Sequence, residues 1–144
     1  MTLHIKSFPE LTIWELYEIL RVRAEVFVVE QNCVYPDPDG TDLRSLHVWL
    51  EEDGTILAYL RLFQKDPVEN IVQIGRVLTT ERGKGYGARV LQAGIQAAAD
   101  HMQAAGLYLE AQTYAIGFYE KAGFQVASET FLEDGIPHVR MTRN

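Results

Sequence analysis

The sequence predicts a single α/β domain of the α+β type. Its centre is a mixed, mostly antiparallel twisted sheet of about seven strands, with helices on both faces. Three observations predict it. The 144 residues, 47% of them hydrophobic, suit one domain with its own core. Apolar spacing switches between the strand period and the helix period in the order βα, ββ, βα, βα, ββ. Turn signals at Asp53-Gly54 and over Glu133 to Pro137 join the strands of the two ββ units.

Each element follows from its residues. His4 to Phe8 alternates as a strand and stops at Pro9. Ile13, Leu16, Tyr17, Leu20, Ala24, Phe27 and Val28 recur at helical spacing, which predicts an amphipathic helix with Thr12 as its N-cap. The segment Pro36 to Asp42, PDPDGTD, reads as loop. His47 to Glu51 and Ile56 to Phe63 read as a hairpin, and Asn70 to Thr79 as the next strand. Ala88, Leu91, Ile95, Ala98 and Met102 form the buried stripe of a second helix, which Gly106 ends. Leu107 to Ala111 is a strand, and Ile116 to Ala122 a short helix closed by Gly123. Phe124 to Leu132 and His138 to Thr142 read as two closing strands.

Composition narrows the function classes. A net charge of −7 argues against nucleic acid as a partner. The only cysteine, Cys33, allows neither an intramolecular disulfide nor a cysteine zinc site. No run is long enough to span a membrane, and the start of the chain has no secretory pattern, so a cytoplasmic protein is expected.

The stretch RGKGYGARVL, Arg82 to Leu91, places glycines at alternate positions where a helix begins. Helix N-termini carry unpaired N–H groups and partial positive charge, and glycine lets an anion approach them. Three phosphate devices share this logic. A Walker A loop fails, because Leu78 stands where its first glycine belongs. Gly83-x-Gly85-x-x-Ala88 fits a loosened dinucleotide fingerprint, with Glu110 near the end of the next strand. Against it, Thr79 to Arg82 separate strand from glycines, and too little chain follows Glu110 for a doubly wound fold.

The third device uses the arginine. Arg82-x-x-Gly85-x-Gly87 resembles the R/Q-x-x-G-x-G/A motif of the GCN5-related N-acetyltransferase (GNAT) superfamily. Gln112-x-x-Ala115-x-x-Phe118-Tyr119-x-x-x-Gly123-Phe124 resembles that family's later N-x-x-A-x-x-x-Y-x-x-x-G-F motif, with Gln112 departing from the usual Asn. Phe27 to His47, Ile74 to Leu78 and Glu133 to His138 are similar to the ElaA-like branch, although the Leu78 to Arg82 connection is shorter.

The resemblance implies acetyl transfer from acetyl-coenzyme A to an amine, with no metal. Backbone groups of Val77, Leu78 and Thr79 would hold the pantetheine arm. Arg82, Gly83, Lys84, Gly85, Tyr86, Gly87 and Ala88 would hold the pyrophosphate. Tyr119 would be the general acid for the departing thiolate, its alternative being an aromatic plug in the core. Glu30, Gln31, His47, Arg76, Glu110 and His138 are the candidates to line the acceptor pocket. Glu30, His47, Glu110 and His138 among them could take the amine's proton, as could a water chain. For Arg76 the alternative is a buried ion pair with an acid such as Glu30. The aspartates of PDPDGTD hint at a calcium loop, but the glycine is misplaced for one. Cys33 suits a small buried apolar position. The acceptor is expected to be a small-molecule or peptide amine. Sequence leaves open the oligomeric state and a non-catalytic acyl-coenzyme A-binding role on the same fold.

Overall fold

The computed structural model describes residues 1–144. Its strands are β1 (Thr2–Ser7), β2 (Leu46–Glu52), β3 (Thr55–Asp66), β4 (Ile71–Thr79), β5 (Gly106–Gln112), β6 (Gln125–Val126), β7 (Phe131–Glu133) and β8 (Ile136–Arg143). The helices are α1 (Ile13–Arg23), α2 (Tyr86–Met102) and α3 (Ile116–Glu120), and α1 continues into a π-helical segment, Ala24–Glu30. One sheet runs β1-β2-β3-β4-β5-β8-β6, with β7 also on β8. Every pairing is antiparallel except β4 with β5. A parallel pair needs a crossover, and α2 supplies it.

Alternation along the strands separates two apolar faces. Val48, Leu50, Leu60, Leu62 and Ile74 face α2, whose Val90, Leu91, Ala97 and Ala98 complete the larger core. The helix lies so close that a Cβ on Gly94 would sit 2.7 Å from Leu60 Cδ2. Trp49 and Tyr59 project from the other face and meet Ile19 and Val22 of α1. No helix is long and apolar enough to cross a membrane.

Thr12 caps α1 as expected. Its Oγ1 accepts from the Glu15 N–H at 3.1 Å, and Glu15 Oε1 accepts from the Thr12 N–H at 2.9 Å. The buried face differs from the predicted stripe. Ile13 and Tyr17 are 75% and 70% exposed, while Ile19, Val22 and Arg23 are buried. Within α1 the face turned to the sheet is that of Ile19, Val22 and Arg23, and the wider π turn after Arg23 shifts the phase of Ala24, Phe27 and Val28 relative to the residues before it.

The closing strands also differ. The stretch expected as one strand is β6 and β7, which pair with separate parts of β8, giving eight strands rather than seven. β7 and β8 join through Asp134 and Gly135, both at positive φ (50° and 76°), the geometry of a primed hairpin turn.

Two irregularities in the middle of the sheet position the site. β4 and β5 pair only over Ile71 to Gln73 with Gly106 to Tyr108, and the rest of each strand diverges. Within β4, Leu78 and Gly75 lie opposite Tyr59 and Arg61, so the strand carries one extra residue. Arg76 stands there at φ 52°, in the left-handed region.

Candidate active site

The diverging strands open a cleft that reaches the start of α2. Gly83 and Gly85 both have positive φ (76° and 77°), and a Cβ at either would meet nothing within 4 Å. Gly85 is the N-cap and offers no side chain, so the first N–H groups of α2 are open to an outside acceptor. Arg82 is exposed beside them, its Nη2 3.6 Å from Glu30 Oε2.

Two cavities meet in the cleft. One, of about 460 Å³, runs from Val77, Leu78 and Thr79 past Gly87 to Arg82. The other, of about 190 Å³, lies over Arg61, Phe63, Gly75, Glu110 and His138. Val77 and Phe27 border both, and the polar side chains bordering both are Gln31, Gln112, Tyr114 and Tyr119. Gln112 Nε2 donates to Gln31 Oε1 at 3.2 Å across the cleft.

Tyr119 is held by edge-on contacts with Phe118 and Phe124, at centroid distances of 5.0 and 6.1 Å. Burial, reinforced by the neighbouring Tyr114, raises its pKa well above the usual phenol range. The hydroxyl is therefore a proton donor at neutral pH.

The smaller cavity ends in titratable groups. His138 Nδ1–H donates to the Ile136 carbonyl at 2.7 Å, which leaves Nε2 facing Glu133 Oε2 at 3.6 Å. Burial and the adjacent charge of Glu110 raise the pKa of Glu133. The Tyr108 hydroxyl donates to Glu110 Oε2 at 2.8 Å. Two neighbouring carboxyls and an imidazole can hold a cation or pass a proton between them.

Of the residues expected at the cofactor, Val77, Leu78, Thr79, Arg82 and Gly87 line the larger cavity. Gly83, Lys84 and Gly85 form the exposed turn at its end, with Lys84 3.4 Å from Glu81, and Ala88 is exposed on the first helical turn of α2. Tyr86 packs partly against the main core instead. Of the acceptor candidates, Gln31, Arg76, Glu110 and His138 line the smaller cavity. Glu30 borders the larger one. His47 lines neither: it is fully buried, with Nδ1 2.7 Å from Tyr59 Oη and Nε2–H donating to the Asp42 carbonyl at 3.0 Å. Burial lowers its pKa, so it stays neutral in a structural role.

Arg76 both lines the cavity and makes ion pairs, but its partners are Asp37 and, more distantly, Asp39 rather than Glu30. The PDPDGTD aspartates are all engaged by arginines. Asp37 meets Arg23 and Arg76, Asp39 meets Arg61 and Arg76, and Asp42 meets Arg23 and Arg61. Cys33 is buried as expected, at the edge of the smaller cavity. Sequence reasoning did not single out Glu133 or Tyr35. Glu133 was within reach, because an Asp-Gly hairpin at 134–135 pairs Glu133 with Ile136 and brings His138 close.

Residues 25–144 match the family model described as an acetyltransferase (GNAT) domain. Protein ElaA of Escherichia coli is 38% identical over 138 residues, covering 93% of this chain and 90% of that protein. A UPF0039 protein of Schizosaccharomyces pombe is 39% identical over 140 residues, covering 94% and 92%. Among solved structures, an acyl-CoA N-acyltransferase from Pseudomonas aeruginosa superposes with a TM-score of 0.93 at 39% identity, covering 100% of both chains. Escherichia coli ElaA superposes equally well, TM-score 0.93 at 35% identity over 99% of both. Similarity of this extent, over sequence and fold alike, places the chain in the GNAT acetyltransferase family, within its ElaA-like branch.

Proposed function

We propose that the chain acts as one N-acetyltransferase unit, moving the acetyl group of acetyl-coenzyme A to a primary amine by direct attack in a ternary complex. The observation that carries this reading is the meeting of the two cavities at Tyr119. One leads to bare helix N–H groups suited to a pyrophosphate, the other to Glu110, Glu133 and His138. The pantetheine arm lies in the larger cavity, along the edge of β4 that β5 leaves unpaired beyond Gln73. A small-molecule or peptide amine enters the smaller one.

The amine must be neutral to attack. Its proton passes to the group formed by His138, Glu133 and Glu110, from which half-exposed Glu133 returns it to solvent. The nitrogen lone pair then forms the C–N bond to the thioester carbonyl carbon, and the C–S bond breaks. The attacking nitrogen sheds its second proton to the same His138–Glu133–Glu110 group, the departing thiolate takes a proton from the Tyr119 hydroxyl, and solvent returns a proton to Tyr119, giving free coenzyme A and the N-acetyl amine. Gln31 and Gln112, tied to each other, flank the junction and orient the two reactants.

The test is a coenzyme A release assay over a broad panel of primary amines, run beside thermal shifts with acetyl-coenzyme A. The expected result is a raised melting temperature and turnover with at least one amine class. Binding without turnover on any amine would favour a non-catalytic acyl-coenzyme A-binding role. No thermal shift at all would remove the reading.

A further inference from the structure

β4 contains a residue that needs holding. Arg76 sits at φ 52° in the middle of a strand, where any side chain with a Cβ is disfavoured. The next residue, Val77, borders both cavities. The direction of the backbone at 76–77 therefore sets what the cleft presents to an acyl-coenzyme A.

The Arg76 side chain does not reach the larger cavity and is anchored at the smaller one. Its Nε lies 2.9 Å from Asp37 Oδ1, an ionic contact whose N–H misses the oxygen. Nη2 donates to the Asp37 carbonyl at 3.0 Å, and the guanidinium lies over the Tyr35 ring at 5.3 Å. Asp37 is only 4% exposed and is fixed in turn by Arg23 Nε at 3.0 Å. Arg23 is fully buried at the end of α1. A continuous strut thus runs from α1 through Arg23 and Asp37 to the bulge.

We propose that this strut holds residue 76 in the left-handed conformation and thereby sets the cofactor-facing edge at Val77. Arg76 is a positioning residue. The inference rests on the acyl-coenzyme A reading of the larger cavity. Its consequence is unusual for a cavity-lining residue. Arg76 borders the acceptor cavity and not the cofactor cavity, yet changing it weakens the cofactor.

Glycine separates this from a general packing role, because it accepts positive φ without a penalty. Arg76→Ala loses the anchor and keeps the Cβ. Arg76→Gly loses the anchor and the penalty together. Arg76→Lys keeps a cation within reach of Asp37. The full-length variants are titrated with acetyl-coenzyme A, and their ligand-free crystal structures are solved. Arg76→Ala should bind about tenfold more weakly, the population equivalent of the left-handed penalty. Arg76→Gly and Arg76→Lys should each recover most of that loss. In the crystals, residue 76 should leave positive φ in the alanine variant and retain it in the glycine variant. Glycine binding no better than alanine, or alanine still near φ 52° with parental affinity, would overturn the proposal. A parent that binds no acetyl-coenzyme A removes the functional reading instead, and the crystal φ values still decide whether the strut holds the bulge.

Discussion

Changing Tyr119 to Phe removes one oxygen and leaves the ring. The aromatic contacts at 5.0 and 6.1 Å persist, and the hydroxyl makes no hydrogen bond within the protein that could be lost. Stability should therefore move by less than about 0.5 kcal/mol. Acetyl-coenzyme A affinity should stay within about threefold, since at most one neutral hydrogen bond to the ground state is at stake. The chemical step is different. Sulfur gains charge only as the C–S bond breaks, so the donor acts on the transition state. A hundredfold loss corresponds to about 2.7 kcal/mol, the scale measured for a single donor aimed at a developing anion. The assay is single-turnover release of coenzyme A at saturating acetyl-coenzyme A and amine, because steady-state rates can be limited by product release. Because burial raises the Tyr119 pKa, the parental rate should not fall from loss of this proton as pH rises toward about 10. A single-turnover rate within about twofold of the parent would refute the acid role and make Tyr119 a plug between the cavities.

Gly85→Asp should abolish acetyl-coenzyme A binding while leaving the chain folded, since a Cβ there meets nothing within 4 Å, the positive φ of 77° costs only the local left-handed penalty, and the carboxylate brings negative charge to the start of α2; parental affinity by calorimetry would sink the anion-site argument. Asp42→Asn should cost about 3 kcal/mol in urea unfolding, because it removes the buried carboxylate shared by Arg23 and Arg61 and leaves each with one partner, Asp37 and Asp39 respectively; a loss below about 1 kcal/mol would contradict that. Glu133 has a raised pKa, so its protonated form is favoured by folding, and that stability is complete below about pH 4 and lost as pH rises through the raised value. Glu133→Gln should thus gain melting temperature over the parent between about pH 4 and pH 7 and show no widening gap below it, the effect being small at 45% side-chain exposure. A difference independent of pH would mean that Glu133 does not titrate against Glu110.

What the residues announced was mostly periodic or local. The α2 stripe, the glycine turn and the Thr12 cap are short-range signals, and the structure carries them, although Ala88 of the stripe is exposed. Tyr119 was legible through a motif and does border both cavities. Features set by distant partners were not legible. The phase break at Arg23 arises where α1 gives way to a π-helical segment, which leaves no periodic trace. Arg76 at positive φ could not be anticipated, since an arginine in a strand gives no sign of a bulge. His47 looked like a pocket histidine because it opens a strand, yet its face of the sheet lies under Asp42 and against Tyr59. The short β6 and β7 carry too few apolar residues to show that they are separate strands.

Sequence drift in the 36–42 loop is constrained by charges far from it in the chain. Surface loops ordinarily exchange residues freely. Here Asp37, Asp39 and Asp42 each answer arginines on separate elements: Arg23 on α1, Arg61 on β3 and Arg76 on β4. Losing one aspartate leaves three arginines sharing two carboxylates, whereas losing an arginine afterwards restores the balance and is far less harmful. The order in which substitutions arrive therefore decides which survive, and their effects do not add. Descendants of this chain should keep or replace the aspartates and arginines as a set, and vary at the outward members of the same loop region, Val34, Pro36 and Pro38.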